Sequence, residues 1–146
     1  EVDMIKLITG AKGTGKTKII INMANDNVDT AKGDIVFVTD TDRYMYSLRY
    51  QIRVINTGCL KRAGQTAIDE KELIGFIRGI LAGNHDIESF YIDGAHRMLA
   101  RPVAEMEDFY TDLYAIAKTT DTKFILTVSE NEENFPEFLK KYQGEQ

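Results

Sequence analysis

The segment "ITGAKGTGKTKII", Ile8 to Ile20, restricts the fold more than any other part of the chain. It sets Gly10, Gly13 and Gly15 together with Lys12 and Lys16 between two apolar runs, "KLITG" and "KIII". Glycine weakens regular structure and lysine resists burial, so a strand running into a helix through such residues needs a compensating ligand. An anion supplies one. Gly10 to Thr17 fits G-x-x-x-x-G-K-[ST] at every fixed position, with a strand pattern before it and a helix pattern after it. The glycines allow positive φ and close approach of the backbone, so that successive N–H groups form an anion nest. A helix starting near Gly15 adds unsatisfied N–H groups and the positive end of its dipole. Lys16 is placed to reach β- and γ-phosphates, and the Thr17 hydroxyl suits Mg²⁺, a hard cation that prefers oxygen. The expected phosphate-binding residues are Gly10, Ala11, Lys12, Gly13, Thr14, Gly15, Lys16, Thr17 and Lys18.

The rest of the chain alternates short β-branched runs with longer amphipathic stretches. Strands are predicted over Met4–Thr9, Ile35–Thr39, Arg53–Asn56, Phe90–Asp93 and Lys123–Ser129. Three of them, "DIVFVTD", "FYID" and "KFILTVSE", are almost continuously apolar, as strands covered on both faces of a parallel sheet are. Helices are predicted over Lys16–Asn25, Asp42–Gln51, Asp69–Ala82, Pro102–Thr120 and Pro136–Tyr142. Leu73, Ile74, Ile77, Ile80 and Leu81 make a stripe of helical period, opened by Asp69 as N-cap three residues before Glu72. Pro102 suits a first helical turn, and Val103, Met106, Tyr110, Leu113 and Ala117 follow it as a second stripe. The expected fold is α/β: a three-layer sandwich with a mainly parallel five-stranded sheet and helices on both faces, residues 1–146 forming one domain. Ligands then bind outside the carboxyl ends of the strands.

Composition removes several classes of function. At 43% hydrophobic and 28% charged residues the chain resembles an ordinary globular domain, and no apolar run is long enough for a membrane-spanning helix. "EVDMIKLITG" lacks the basic start and apolar run of a signal peptide. One cysteine, Cys59, excludes a disulfide framework and a Cys-rich zinc site, and fits a reducing cytoplasm. A net charge of -5 argues against nucleic acid as partner.

With Gly10–Thr17 as a Walker A motif, the chain resembles a P-loop NTPase. That resemblance implies a Walker B strand ending in a metal-holding Asp, and "SFYIDGAHRM" provides it in Asp93. An Asp-Gly turn is the plainer reading of the same two residues. Through "KLITGAKGTGKTK", "IRVINTG", "GFIRGILAGNHDI", "FYID" and "KFILTVS" the chain also resembles small bacterial ATP-binding proteins, some labelled twitching motility protein PilT. Pilus retraction ATPases themselves are similar to it only in Walker A. The resemblance implies ATP and Mg²⁺ as cofactors, with Thr17 and Asp93 as metal ligands.

Many hydrolysing P-loop ATPases carry a Glu directly after the Walker B Asp; here the position is Gly94. His96 stands two residues on, able to contact the γ-phosphate or orient water, so the expected catalytic residues are Lys16, Asp93 and His96. The plainer reading of His96 is a surface histidine at a helix start. Asp40, Asp42 and Glu130 lie at strand ends on the loop's edge and could replace the missing Glu, or merely cap turns. Thr127 and Ser129 on the last strand could sense a γ-phosphate, or simply face a helix. Arg97 and Arg101 could steady phosphate charge, or be solvated, and "KRAG", Lys61 to Gly64, reads first as a solvated loop. Tyr44, Tyr46 and Tyr50, beside Arg43 and Arg49, could stack on a base; helical spacing of Tyr46 and Tyr50 points instead to one packed face.

The expected function is binding of a nucleoside triphosphate, ATP before GTP, with slow or partner-dependent hydrolysis. A protein partner or a second copy of the chain would complete the site. The alternatives are a non-hydrolysing, nucleotide-dependent interaction module, and a small-molecule kinase. For a kinase, no Arg-rich lid stands out in the sequence. Neither a membrane nor a nucleic acid is an expected partner.

Overall fold

The computed structural model describes residues 4–142. The domain bounds read from the sequence extend past them at both ends, and residues 1–3 of the stretch read as lacking a leader also lie outside them. In chain order the elements are β1 (Ile5–Gly10), α1 (Lys16–Asn27), β2 (Asp34–Thr39), β3 (Arg53–Asn56), α2 (Glu70–Ala82), β4 (Ile87–Ile92), α3 (Ala95–Leu99), α4 (Glu107–Thr120) and β5 (Lys123–Ser129), with short 3₁₀ turns in the connections.

The strands form one sheet in the order β1-β5-β4-β2-β3, and every neighbouring pair is parallel. Alternation along the strands builds two cores, one on each face. Leu7, Val36, Val38, Phe90, Ile92, Phe124 and Leu126 pack against α2, α3 and α4. Ile8, Ile35, Phe37, Tyr91 and Ile125 point the other way, onto Ile20, Ile21 and Ala24 of α1. The three-layer α/β sandwich expected from the apolar strand runs is therefore the fold observed. α2 opens with the expected capping box: Lys71 N donates to Asp69 Oδ2 at 3.0 Å, and Asp69 N donates to Glu72 Oε1 at 3.0 Å.

Four element predictions need correction. Asp42–Gln51 is not a helix but a loop with one 3₁₀ turn at Met45–Ser47. Only Leu48 of that stretch buries, with Ile52 just beyond it, too few for a helical stripe. The Asn25 side chain claims its backbone instead, donating to Ser47 O and accepting from Arg49 N, both at 2.9 Å. Pro102–Thr120 is interrupted: Val103–Glu105 is a 3₁₀ turn, Met106 leaves helical geometry, and α4 starts at Glu107. Pro136–Tyr142 closes as a 3₁₀ segment over Glu137–Tyr142. The strand read as Phe90–Asp93 starts earlier, at Ile87. Its polar opening is accounted for locally, since Glu88 accepts from Lys32 N and Gly33 N, and Ser89 from Asn27.

For the site, the decisive feature is the sheet order. β5 lies between β1 and β4. The loop after β1 therefore reaches the end of β4 across one intervening strand, whose polar end stands between them.

Candidate functional site

At the carboxyl end of β1 the chain turns through Gly10–Gly15 and enters α1. Gly13 and Gly15 hold φ of 83° and 86°, the left-handed region that favours glycine. A Cβ at Gly10 would stand 2.7 Å from Thr14 Oγ1, so the loop closes on itself only with glycine there. Gly15 is the N-cap of α1 and makes no side-chain cap, which leaves the first-turn amides for another acceptor. Thr14 Oγ1 and Lys16 Nζ both donate to Ala11 O at 2.7 Å. Lys16 is only 7% exposed. Burial lowers its pKa and the Asp93 carboxylate opposes that shift.

Asp93 directly follows β4 and is 2% exposed. Thr17 Oγ1 donates to its Oδ2 at 3.1 Å, and Thr127 Oγ1 to its Oδ1 at 2.8 Å. The Thr127 hydroxyl in turn accepts from Gly94 N at 2.9 Å. The register that pairs Ile92 with Leu126 brings Thr127 level with Asp93, so the intervening strand orients the carboxylate. Asp93 is thus more than a turn cap, and Thr127 more than a strand residue facing a helix.

These groups enclose a cavity of about 270 Å³ lined by Lys12, Gly13, Gly15, Lys16, Thr17, Tyr44, Asp93, Arg97, Thr127 and Ser129. A second, of about 500 Å³, adjoins it along α1 and is lined by Gly15, Thr17, Lys18, Ile21, Asn22, Tyr44 and Ser47. The loop, Lys16, Thr17 and Asp93 are therefore brought together as expected, with Tyr44 at the junction.

Arg97 also lines the first cavity, and it is not a free solvated arginine. Its Nε and Nη2 each donate to Asp40 at 2.9 Å, and Nη2 reaches Asp93 O at 3.3 Å. Its guanidinium covers Gly94, where a Cβ would stand 2.4 to 2.7 Å from it. Gly94 itself has φ of 87°. Burial alone would raise the pKa of Asp40, but the hydrogen bonds and charge of Arg97 carry it below the ordinary carboxylate value. The pairing of Asp40 with Arg97 was not legible in sequence, because the two residues stand on different strand–helix units.

The remaining candidates fall outside the cavity. Asp42 accepts from Asn56 at 2.8 Å and Glu130 from Asn131 N at 3.0 Å, as turn residues do. Arg101 pairs with Glu70 rather than standing in solvent, and Lys61 to Gly64 is an exposed loop. Tyr46 and Tyr50 do not form a packed face: they are 96% and 92% exposed.

His96 is half-buried on the first turn of α3 and is not a lining residue. Burial lowers its pKa, helped by Arg97 and Lys16 and opposed by Asp93 and Asp40. It is therefore neutral at pH 7. The unfolded chain takes up this proton near the ordinary value of about 6.5, the folded protein only below it, so stability falls as pH drops through that range. Wild-type protein is expected to lose stability between about pH 7 and pH 5, and His96→Gln to lose less. Melting curves of both at the two pH values check this; equal losses would assign the slope to other groups.

Among the described residues no cluster of three or more His, Cys, Asp or Glu side chains could hold a metal ion unaided, and no helix is long and apolar enough to cross a membrane. No family model and no curated protein matches the chain. Among solved structures it is similar to a KaiC-like protein from the hyperthermophilic archaeon Pyrococcus horikoshii. The TM-score is 0.68 at 15% identity, over 97% of this chain and 69% of that one. The likeness extends to the whole α/β sandwich and lends nothing to the twitching-motility label.

Proposed function

We propose that the chain binds a nucleoside triphosphate, ATP before GTP, together with Mg²⁺, in the paired cavities between the Gly10–Thr17 loop and Asp93. One observation carries this reading. The glycine loop, a buried lysine and the amides of a helix start all face a buried carboxylate across a polar cavity. The loop amides and Lys16 would hold phosphate oxygens, with Lys12 and Lys18 at the two mouths. The donor set fits Mg²⁺, which is commonly held through one or two protein oxygens with phosphates and water completing its shell. Thr17 and Asp93 would hold it, and when bound it would neutralise phosphate charge.

The same geometry supports slow or partner-dependent hydrolysis. A water near the terminal phosphate would have no free carboxylate beside it. Gly94 offers none, Asp40 does not line the cavity, and Asp93 is occupied by two hydroxyls. That observation also favours the second reading, a non-hydrolysing module whose nucleotide occupancy controls a protein contact. The exposed Tyr46, between the cavity-lining Tyr44 and Ser47, and the exposed Tyr50 are consistent with such a contact.

The test is thermal denaturation with ATP, GTP or ADP, with and without Mg²⁺, followed by phosphate release for any nucleotide that binds. A hundredfold excess over Kd is expected to stabilise the protein by about 2.7 kcal/mol, roughly 5 to 10 °C for a chain of this size. No shift with any nucleotide would overturn the proposal.

A further inference from the structure

The two cavities have a direction. The larger is lined by apolar and α1 side chains, Ile21, Asn22 and Lys18 among them, and suits a nucleoside. The smaller holds the charged groups. Gly15, Thr17 and Tyr44 border both, whereas Lys16, Asp93, Thr127 and Arg97 border only the smaller. A phosphate chain running from the first into the second therefore has its terminal phosphate nearest the Asp93–Arg97 end.

There Arg97 is held but not spent. Its two hydrogen bonds to Asp40 come from Nε and Nη2, and Nη1 has no partner among the described residues. The Arg97 side chain is 48% exposed, Asp40 only 17%, and Asp40 does not line the cavity. Asp40 thus holds the Nε–Nη2 edge, and Nη1 is left for a new acceptor at the cavity that Arg97 lines. A partly exposed ion pair contributes little net stability, so exchanging the carboxylate for a more highly charged phosphate costs little. A guanidinium also matches phosphate oxygens in bidentate geometry.

We propose that Arg97 is the residue by which this site distinguishes a nucleoside triphosphate from a diphosphate, turning from Asp40 to the terminal phosphate only when that phosphate is present. This rests on the nucleotide-binding reading above. Asp40 is a positioning residue in this scheme. It sets how much binding is needed to move the arginine.

The two partners then have opposite effects, which a purely structural ion pair would not have. Binding of Mg²⁺ with ADP, and with the non-hydrolysable β,γ-imido analogue of ATP, is measured by calorimetry for the wild type, Arg97→Gln, Arg97→Lys and Asp40→Asn. Arg97→Gln is expected to weaken analogue binding tenfold to a hundredfold while changing ADP binding less than threefold, the loss of a charged hydrogen-bonding group. Arg97→Lys should recover part of the preference. Asp40→Asn should increase the analogue-to-ADP preference severalfold, because the arginine starts released. If the preference is the same in all four proteins while their melting temperatures differ, the ion pair is only a brace and the proposal is overturned. If the wild type binds neither nucleotide, the site reading fails, and this inference with it.

Discussion

Lys16→Ala is expected to remove the nucleotide-dependent rise in melting temperature while leaving the free protein folded. Lys16 is not a solvated lysine. It is the first residue of α1, buried, with Nζ on Ala11 O inside the loop. Its charge is already largely stripped of water, which is why its pKa falls. Binding would exchange a neutral carbonyl for phosphate oxygens without a second desolvation, so most of that charge–charge attraction is gained at the site. Truncation should cost about 2 to 4 kcal/mol of binding, roughly thirtyfold to a thousandfold in Kd. In the free protein the two effects oppose each other: one hydrogen bond is lost, and one costly buried charge disappears. The net change should stay within about 1 kcal/mol, or 2 to 4 °C. Calorimetric titration beside melting curves separates the outcomes. Unchanged affinity would remove Lys16 from the phosphate site. A collapse of the free protein would give the residue a structural role instead, balancing Asp93.

What could be read from the sequence depended on whether the cause was local. The glycine loop, the capping box of α2 and the strands buried on both faces all follow from residues near one another, and each appears where expected. Asp93 was singled out by the resemblance to a Walker B strand, since the local pattern alone reads equally as an Asp-Gly turn. Thr127 was found as a candidate, but its role depends on β5 lying between β1 and β4, and strand order is not written in any short segment. The loop after β2 misled because Tyr46 and Tyr50 mimic helical spacing. Only Asn25, from α1, shows that its backbone bonds are taken elsewhere. The Arg97–Asp40 pair was invisible on both counts, since it joins two units and covers a glycine.

That covered glycine leads to the second large effect. Gly94→Glu, which would place a carboxylate directly after Asp93, is expected to destabilise the protein by about 3 kcal/mol and to yield no hydrolysis. Three costs combine. A side chain at φ of 87° is strained, by about 1 to 2 kcal/mol. Its Cβ would overlap the guanidinium 2.4 Å away, so the flexible Arg97 side chain must shift off Asp40, the smallest of the three costs because that ion pair is partly exposed. A new carboxylate beside buried Asp93 adds like-charge repulsion. Melting temperature should fall by about 6 to 12 °C. Gly94→Ala carries the first two costs without the third, so the Ala–Glu difference measures the repulsion. Adding Arg97→Ala to Gly94→Ala removes the overlap and should recover part of the loss, a coupling that a double-mutant cycle detects. Purely additive losses would mean that the guanidinium does not restrict position 94. Melting like the wild type would remove both the strain and the overlap from the account. If the expected pattern holds, this corner does not differ from a hydrolase by a single substitution. Arg97 and Asp40 occupy the space and the charge balance that a glutamate would need, and all three positions would have to change together for water activation to appear.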